Sequence, residues 1–410
     1  MSASSTEVPP GGWGRVLTAA YGPTLLAYIG FGAVIPMEAL QARALGASIG
    51  LAAFITALDG IAQVVGDLPA GHVAERLGEK RAIILACLVD AALMALVYYG
   101  RSLPILALAV FIHGLTGSIF GLARQSYLTE MIPLRYRARA MSSMGGVFRI
   151  GTFVGPLAGA AIIARWDLST AFAFSAVMSL LAAGITFVMP ELPSDVAQRR
   201  HRSAAEPGPR MRDILRAHRR DLLTVGIGCL ALMLVRAARQ TLIPLWAESH
   251  GISPATTSLI YSLSMLCDVL LFYPGGAVMD RFGRWWVSVP AMIVMSIGFL
   301  VLPLAHTTAT IAAVACLLGL GNGVTAGVVM TLGADYSPAV GRSLFLAGWR
   351  LLSDSGTSLG PVAITVAASV ASLGASSLVV GLLGLVGAGW LARWVPHETP
   401  ELQLDDSPAS

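Results

Sequence analysis

Charge is what this 410-residue chain has least of. Asp, Glu, Lys and Arg together make up 12% of it, and lysine is almost absent beside arginine, whereas soluble domains are about a quarter charged. With 55% apolar residues and a mean hydropathy of +0.73, an ordinary soluble domain is excluded. Cysteine is also sparse. Cys87, Cys229, Cys267 and Cys316 all fall inside apolar runs, where a thiol acts as a small hydrophobe, and no two stand in facing loops. Neither a disulfide nor a metal site is expected. The chain has no phosphate loop of the GxxxxGKS type, no HExxH pair and no GxSxG turn, so nothing in it points to an enzyme or to a bound cofactor. Met1 to Arg15 lacks a charged region leading to a small-residue cleavage site, so no signal peptide is expected to be removed.

What fills the chain instead is apolar runs of helical length. A helix of about 20 apolar residues crosses a ~30 Å hydrocarbon core, and these runs are too long and uniform for barrel strands. Spans are expected at 17–37, 47–73, 80–100, 103–130, 138–164, 168–190, 219–247, 253–279, 285–306, 309–335, 341–369 and 372–395. The fold class is therefore an all-α membrane protein of twelve transmembrane helices in two groups of six. Residues 1–190 form the first bundle, 191–218 a polar linker and 219–410 the second bundle. The linker is rich in arginine, and its stretch Met211-Arg-Asp-Ile-Leu-Arg is expected to form a surface helix.

Lys and Arg collect in the even-numbered loops (Arg76, Lys80, Arg81, Arg135, Arg137, Arg139, the linker, Arg281, Arg284, Arg342), against Arg43, Arg101 and Arg165 in the odd-numbered ones. This asymmetry puts the linker and both termini on the cytoplasmic side. The net charge of +4 is read as topology, with no nucleic-acid partner expected.

One charged turn occurs twice, 205 positions apart: Gly71-His-Val-Ala-Glu75-Arg76-Leu-Gly78-Glu79-Lys80 and Gly276-Ala-Val-Met-Asp280-Arg281-Phe-Gly283-Arg284-Trp285. The same shift lays Gly46 on Gly251, Gly114 on Gly319, Glu130 on Asp335, Arg137 on Arg342, and Gly151, Gly155 and Pro156 on Gly356, Gly360 and Pro361. Six spans is an even number, so the halves are parallel repeats about an axis normal to the bilayer, with a site expected between them near the midplane.

With these motifs the chain resembles the major facilitator superfamily over essentially its full length. The second turn matches that family's signature; the first departs from it at Glu75 and Glu79. The resemblance implies a cytoplasmic gate built from Asp67, Gly71, Glu75, Arg76, Gly78, Lys80, Glu130 and Arg137 in the first repeat and Gly276, Asp280, Arg281, Gly283, Arg284, Asp335 and Arg342 in the second. Glu75 would face helix 11 and Asp280 helix 5. Gly151, Gly155, Pro156 and Gly159 on helix 5 look like the motif of exporters that exchange substrate for protons, with Ala160 in place of the last glycine. The family's arginine in helix 4 is absent, Val110 standing in its place, and helix 1 has only Glu38, expected near its outer end.

An ionisable side chain inside a span is a functional candidate because its burial costs a few kcal/mol. Asp59, Arg149, Arg236, Asp268, Arg350 and Asp354 are the candidates for proton coupling and the substrate cavity. Arg149 and Asp354 occupy equivalent positions in the two repeats, and Arg350 and Asp354 share a helix face. Arg239 is expected to snorkel outward, Arg124 to serve the inner gate, and His113 and Asp90 to be satisfied packing groups. Tyr28, Phe31, Phe148, Trp246, Tyr261 and Trp349 are candidate stacking surfaces. The resulting expectation is a monomeric exporter of small organic compounds, drug-like molecules or metabolites, in a bacterial inner membrane and driven by protons. A proton-coupled importer, a flippase for lipid-like substrates and a non-transporting receptor stand as alternatives.

Overall fold

The computed structural model describes residues 12–132, 134–189, 211–338 and 341–397. Among them are twelve long helices and no strand: α1 (Gly12–Ala44), α2 (Ile49–Leu77), α3 (Glu79–Gly100), α4 (Leu103–Met131), α5 (Leu134–Ile163), α6 (Thr170–Val188), α7 (Ile227–Ser249), α8 (Pro254–Phe282), α9 (Trp285–Val301), α10 (Thr308–Val324), α11 (Arg342–Val370) and α12 (Leu373–Trp394). Eleven are long and apolar enough to cross a membrane. The exception, α11, carries Arg342, Arg350 and Asp354. Helices answer the demand that every backbone polar group in lipid be bonded within its own segment.

Three spans depart from uniform helix. A π turn at Leu222–Gly226 precedes α7, and α9 ends in a 3-10 turn at Leu302–Leu304, where Pro303 contributes no N–H. The tenth span breaks after Val324 and resumes as Val328–Asp335. At that break a Cβ on Gly275 would lie 2.7 Å from the Cα of Val324, so the backbones of α8 and α10 are in contact. Residues 190–210, which include most of the 191–218 linker, lie outside the described residues. A short helix follows at Met211–Ala217, with Ile214 seated on Gly341 and Leu215 on Gly348.

The duplication is visible in the backbone. Gly78 and Gly283 cap α2 and α8 with φ, ψ of 80°, 152° and 98°, 167°, a region open essentially to glycine alone. This is why both charged turns carry glycine there. On the opposite face Gly46 and Gly251 repeat the correspondence with φ of 91° and 73°. Packing repeats as well. In the first six helices α1 lies on α5 and α6, α2 on α4, and α3 on α4 and α6; in the second, α7 lies on α11 and α12, α8 on α10, and α9 on α10 and α12. The sets meet through α2 against α11 and α5 against α8.

Those contacts are not evenly spread through the membrane. Toward the Gly46/Gly251 face the repeats are tied by Thr56 to Thr241 (2.9 Å), by Ser258 Oγ donating to the Pro156 carbonyl (2.7 Å) and by Arg43 to Glu248 (3.3 Å). Arg43 and Glu248 are themselves equivalent, 205 positions apart, so this pair straddles the repeat axis. Toward the charged-turn face Tyr273 is 83% exposed, and a Cβ on Gly146 or Gly276 would have no neighbour within 4 Å. Toward that face Arg350 of α11 still reaches Asp67 of α2, at 3.6 Å.

Candidate functional site

Between the repeats lies a cavity of about 350 Å³, lined from both. Its aromatic wall comes from Tyr28, Phe31, Phe148 and Tyr261, with Tyr28 set edge-on to Phe148 at 4.4 Å. Trp246 and Trp349 do not line it. Their indole N–H groups donate to the carbonyls of Ala305 and Val329, and both rings are buried as packing.

On the second-repeat side the hub is Asp268, on α8. Its carboxylate faces Arg149 Nε of α5 at 3.7 Å and Arg239 Nη2 of α7 at 3.5 Å, and accepts from the Asn322 amide of α10. Asn322 in turn accepts from Arg236 Nε at 2.6 Å. Arg149 spreads over the Phe272 ring at 4.1 Å, and Arg239 also donates to Ser264 Oγ at 3.2 Å. Arg149 therefore finds its carboxylate in Asp268, and Asp354, its repeat equivalent, lies elsewhere. Arg239 does not snorkel to the surface. It is 3% exposed, because Asp268 supplies inside the molecule the counter-charge that water would supply outside.

The first-repeat side carries acids. Asp59 on α2 accepts from Gln63 Nε2 at 2.7 Å, while its other oxygen is buried with no hydrogen-bond partner. Asp90 on α3 and His113 on α4 bond to each other, and both line the cavity. Glu38 is 6% exposed and lines it too, although expected near the end of its span. The reason is length: α1 runs on to Ala44, about two turns beyond the expected 37, which carries Glu38 into the helix interior.

Of the six cavity candidates, Asp59, Arg149, Arg236 and Asp268 line the cavity, and Arg350 and Asp354 do not. Arg350 pairs with Asp354 at 3.2 Å, as their spacing predicts, and reaches across to Asp67 on α2 at 3.6 Å. Asp67 belongs to the gate set, so these three form one group toward the charged-turn face. In the second turn Arg284 is bound to Asp335 at 2.8 Å within its own repeat, and Asp280, Arg281 and Arg342 are exposed. In the first turn Arg76 is exposed, Lys80 donates to the Met189 carbonyl at 2.6 Å, and Glu79 is buried and accepts from Ser126 Oγ at 3.0 Å. The side chains of Glu75, Glu130 and Arg137 lie outside those described. The α5 motif is the crossing of α5 on α1: a Cβ on Gly151 would stand 2.7 Å from Tyr28 Cβ, one on Gly155 2.7 Å from Ala33 N, and one on Gly159 3.3 Å from the Ala33 carbonyl oxygen. Gly356 and Gly360 make the corresponding crossing of α11 on α7.

Sequence reasoning passed over Gln63, Ser179 and Asn322, neutral groups that bind the cavity's charges. An amide within an otherwise apolar run, as in Gly321-Asn322-Gly323, was the available signal.

Twelve helices in two like repeats around a central cavity with charged and aromatic side chains on its wall form a membrane-transporter architecture. Residues 23–236 and 225–408 each match the Major Facilitator Superfamily, and the chain belongs to that family. It is 23% identical to Multidrug resistance protein 2 of Bacillus subtilis, covering 78% of this chain and 86% of that one, and 22% identical to Multidrug resistance protein MdtH of Cronobacter sakazakii, covering 92% and 87%. Among solved structures it superposes on the inward-open xylose transporter XylE of E. coli with a TM-score of 0.71 at 16% identity, over 95% of this chain and 97% of that one.

Proposed function

We propose that this transporter exports small organic compounds in exchange for protons, by alternating access. The charged-turn face is read as the cytoplasmic one from the Lys and Arg distribution, and the absence of neighbours around Gly146 and Gly276 there supports reading the conformation as inward-open. Residues 1–190 and 219–410 act as two bodies that rock about the cavity, joined by 191–218. Asp280 and Glu75 serve as latches that engage when the cytoplasmic face closes; Asp280 is exposed in this conformation. The membrane is the bacterial inner membrane, consistent with the bacterial relatives.

The observation that carries proton coupling is Asp59. It is a carboxyl group on a cavity wall, bonded on one oxygen to an amide and on the other to nothing. A buried carboxyl group without a bound cation is suited to exchange a proton rather than to hold a fixed charge. Asp268, held among three arginines and an asparagine, is the second candidate, since rocking of α5 against α8 changes its distance from Arg149. The aromatic wall provides stacking surface for a planar organic molecule. The relatives named for multidrug resistance favour export.

The test is ethidium flux in proteoliposomes with and without an imposed pH gradient. Antiport predicts ethidium accumulation on the acidic side. Accumulation on the alkaline side would mean symport, and binding without accumulation would mean a receptor; either overturns the proposal. If Asp59→Asn and Asp268→Asn both kept gradient-driven flux, the coupling assignment would fail.

A further inference from the structure

Asp90 and His113 have no place in the coupling scheme above, yet they are the most closely bonded titratable pair among the described residues. His113 Nδ1 lies 2.5 Å from Asp90 Oδ1, and Ser179 Oγ of α6 donates to Asp90 Oδ2, also at 2.5 Å. Both oxygens of Asp90 are thus occupied. Since one of them faces Nδ1, that nitrogen carries the hydrogen, and Nε2 is left as the exchangeable position. The imidazole is stacked on Phe31 at 5.0 Å, which fixes its plane.

The duplication provides an internal control on whether the fold needs this pair. The positions equivalent to Asp90 and His113, 205 residues on, are Met295 and Leu318, which are 1% and 0% exposed in the second repeat. The α9–α10 contact is therefore closed by apolar side chains, whereas the α3–α4 contact, built on the same plan, holds a carboxylate and an imidazole facing the cavity. Packing does not call for them, and placing charge there works against stability.

We propose that Asp90 and His113 form a second proton station, in which His113 Nε2 takes a proton from cavity water and the pair passes from one net negative charge to neutral. The proton leaves by the same nitrogen to water on the opposite side once the cavity has re-opened there. The proposal rests on the antiport reading. The groups around the pair suit this role. Glu38 and Tyr28 of α1, Asp59 of α2, Cys87 of α3 and Arg149 of α5 line the same cavity, and Arg149 is engaged by Asp268. Arg124, further along α4, lies over Tyr28 and Phe120. Glu38 and Asp59 share this wall with His113, and Ser179 holds Asp90 in place as the proton arrives.

The experiment uses the full chain in proteoliposomes with ethidium as probe, comparing wild type with His113→Gln, Ser179→Ala and the double variant Asp90→Met/His113→Leu, which copies the second repeat. Each exchanged proton multiplies the attainable accumulation ratio by ten per pH unit, so loss of this station lowers steady-state ethidium accumulation roughly tenfold at a one-unit gradient. The ratio of driven flux to ethidium–ethidium exchange falls with it, and Ser179→Ala shifts the pH profile of the driven flux. The proposal is overturned if the double variant folds and keeps the wild-type accumulation ratio, or if driven flux and exchange fall in equal proportion, which marks a structural role. Absence of pH-driven flux in the wild type would instead defeat the antiport reading. In that case pH-jump infrared difference spectra of the purified protein decide the pair: an imidazole ring band that appears with the pH jump, is abolished by His113→Gln and is moved by both Asp90→Asn and Ser179→Ala supports proton uptake at His113, and no such band overturns it.

Discussion

Replacing Asp268 by Asn removes a carboxylate shared by two guanidinium groups. At 3.5 Å from Arg239 and 3.7 Å from Arg149, each attraction is about 5 kcal/mol at an effective dielectric constant of about 20, before desolvation is counted. Desolvation offsets most of that gross gain while the pair is intact. Once the acid is gone the arginines remain buried without it, and breaking such a pair costs about 3–5 kcal/mol. Arg239 bears most of the loss: its side chain is 4% exposed, against 12% for Arg149, which keeps Phe272 beneath it. Asp268→Asn/Arg239→Gln should therefore be more stable than the sum of the two single changes by about 2 kcal/mol, the size of coupling expected of direct partners. The assay is unfolding of purified protein in mixed micelles, followed by tryptophan fluorescence, with all four members of the cycle. A single variant within about 0.5 kcal/mol of wild type, or strict additivity, would show that Asp268 is not the counter-charge that keeps Arg239 buried.

Gly155→Ala and Gly360→Ala each push a methyl group into facing backbone, within 2.7 Å of Ala33 N and 2.8 Å of Ala238 N respectively. Each should lower stability by about 1–3 kcal/mol in the same assay, while Gly146→Ala, which meets no atom within 4 Å, should not. Asp280→Asn should leave the stability of this conformation unchanged, since Asp280 is exposed, yet reduce ethidium flux more than Glu75→Gln at matched expression. Equal or reversed losses would show that the two turns are not graded as their sequences suggest. Neutralising Arg43 or Glu248, whose side chains are 29% and 33% exposed, should cost no more than about 1 kcal/mol, with the difference shrinking as salt is added. A cost that persists in high salt would mean the pair is sealed from solvent.

Much of the scaffold was legible in the chain because its constraints are local. Bilayer thickness sets a length for each apolar run, and Gly78 and Gly283 mark the same turn twice because other residues are strained in that backbone conformation. The candidate site was legible only in part. Asp59, Arg149, Arg236 and Asp268 stood out as charges in apolar spans and do line the cavity. Arg149 and Asp354 are equivalent in the two repeats, but residues related by the repeat axis meet only near that axis. Arg43 and Glu248 lie there and bond to each other. Arg149 and Asp354 do not, and α5 packs on α8, which brings Asp268 to Arg149.

By itself, the sequence determined the twelve spans, their two-fold repetition and the charged turns, since each follows from hydropathy, chain length or the conformational freedom of a single residue. Helical periodicity places a side chain on a face of its own helix and says nothing of which neighbour that face meets. Only the tertiary structure decided that Glu38 reaches the cavity, that Arg239 is buried on Asp268, and that Arg350 and Asp354 join Asp67 away from it. Those outcomes depend on how far each helix extends, how it is rotated, and which helices of the two repeats meet.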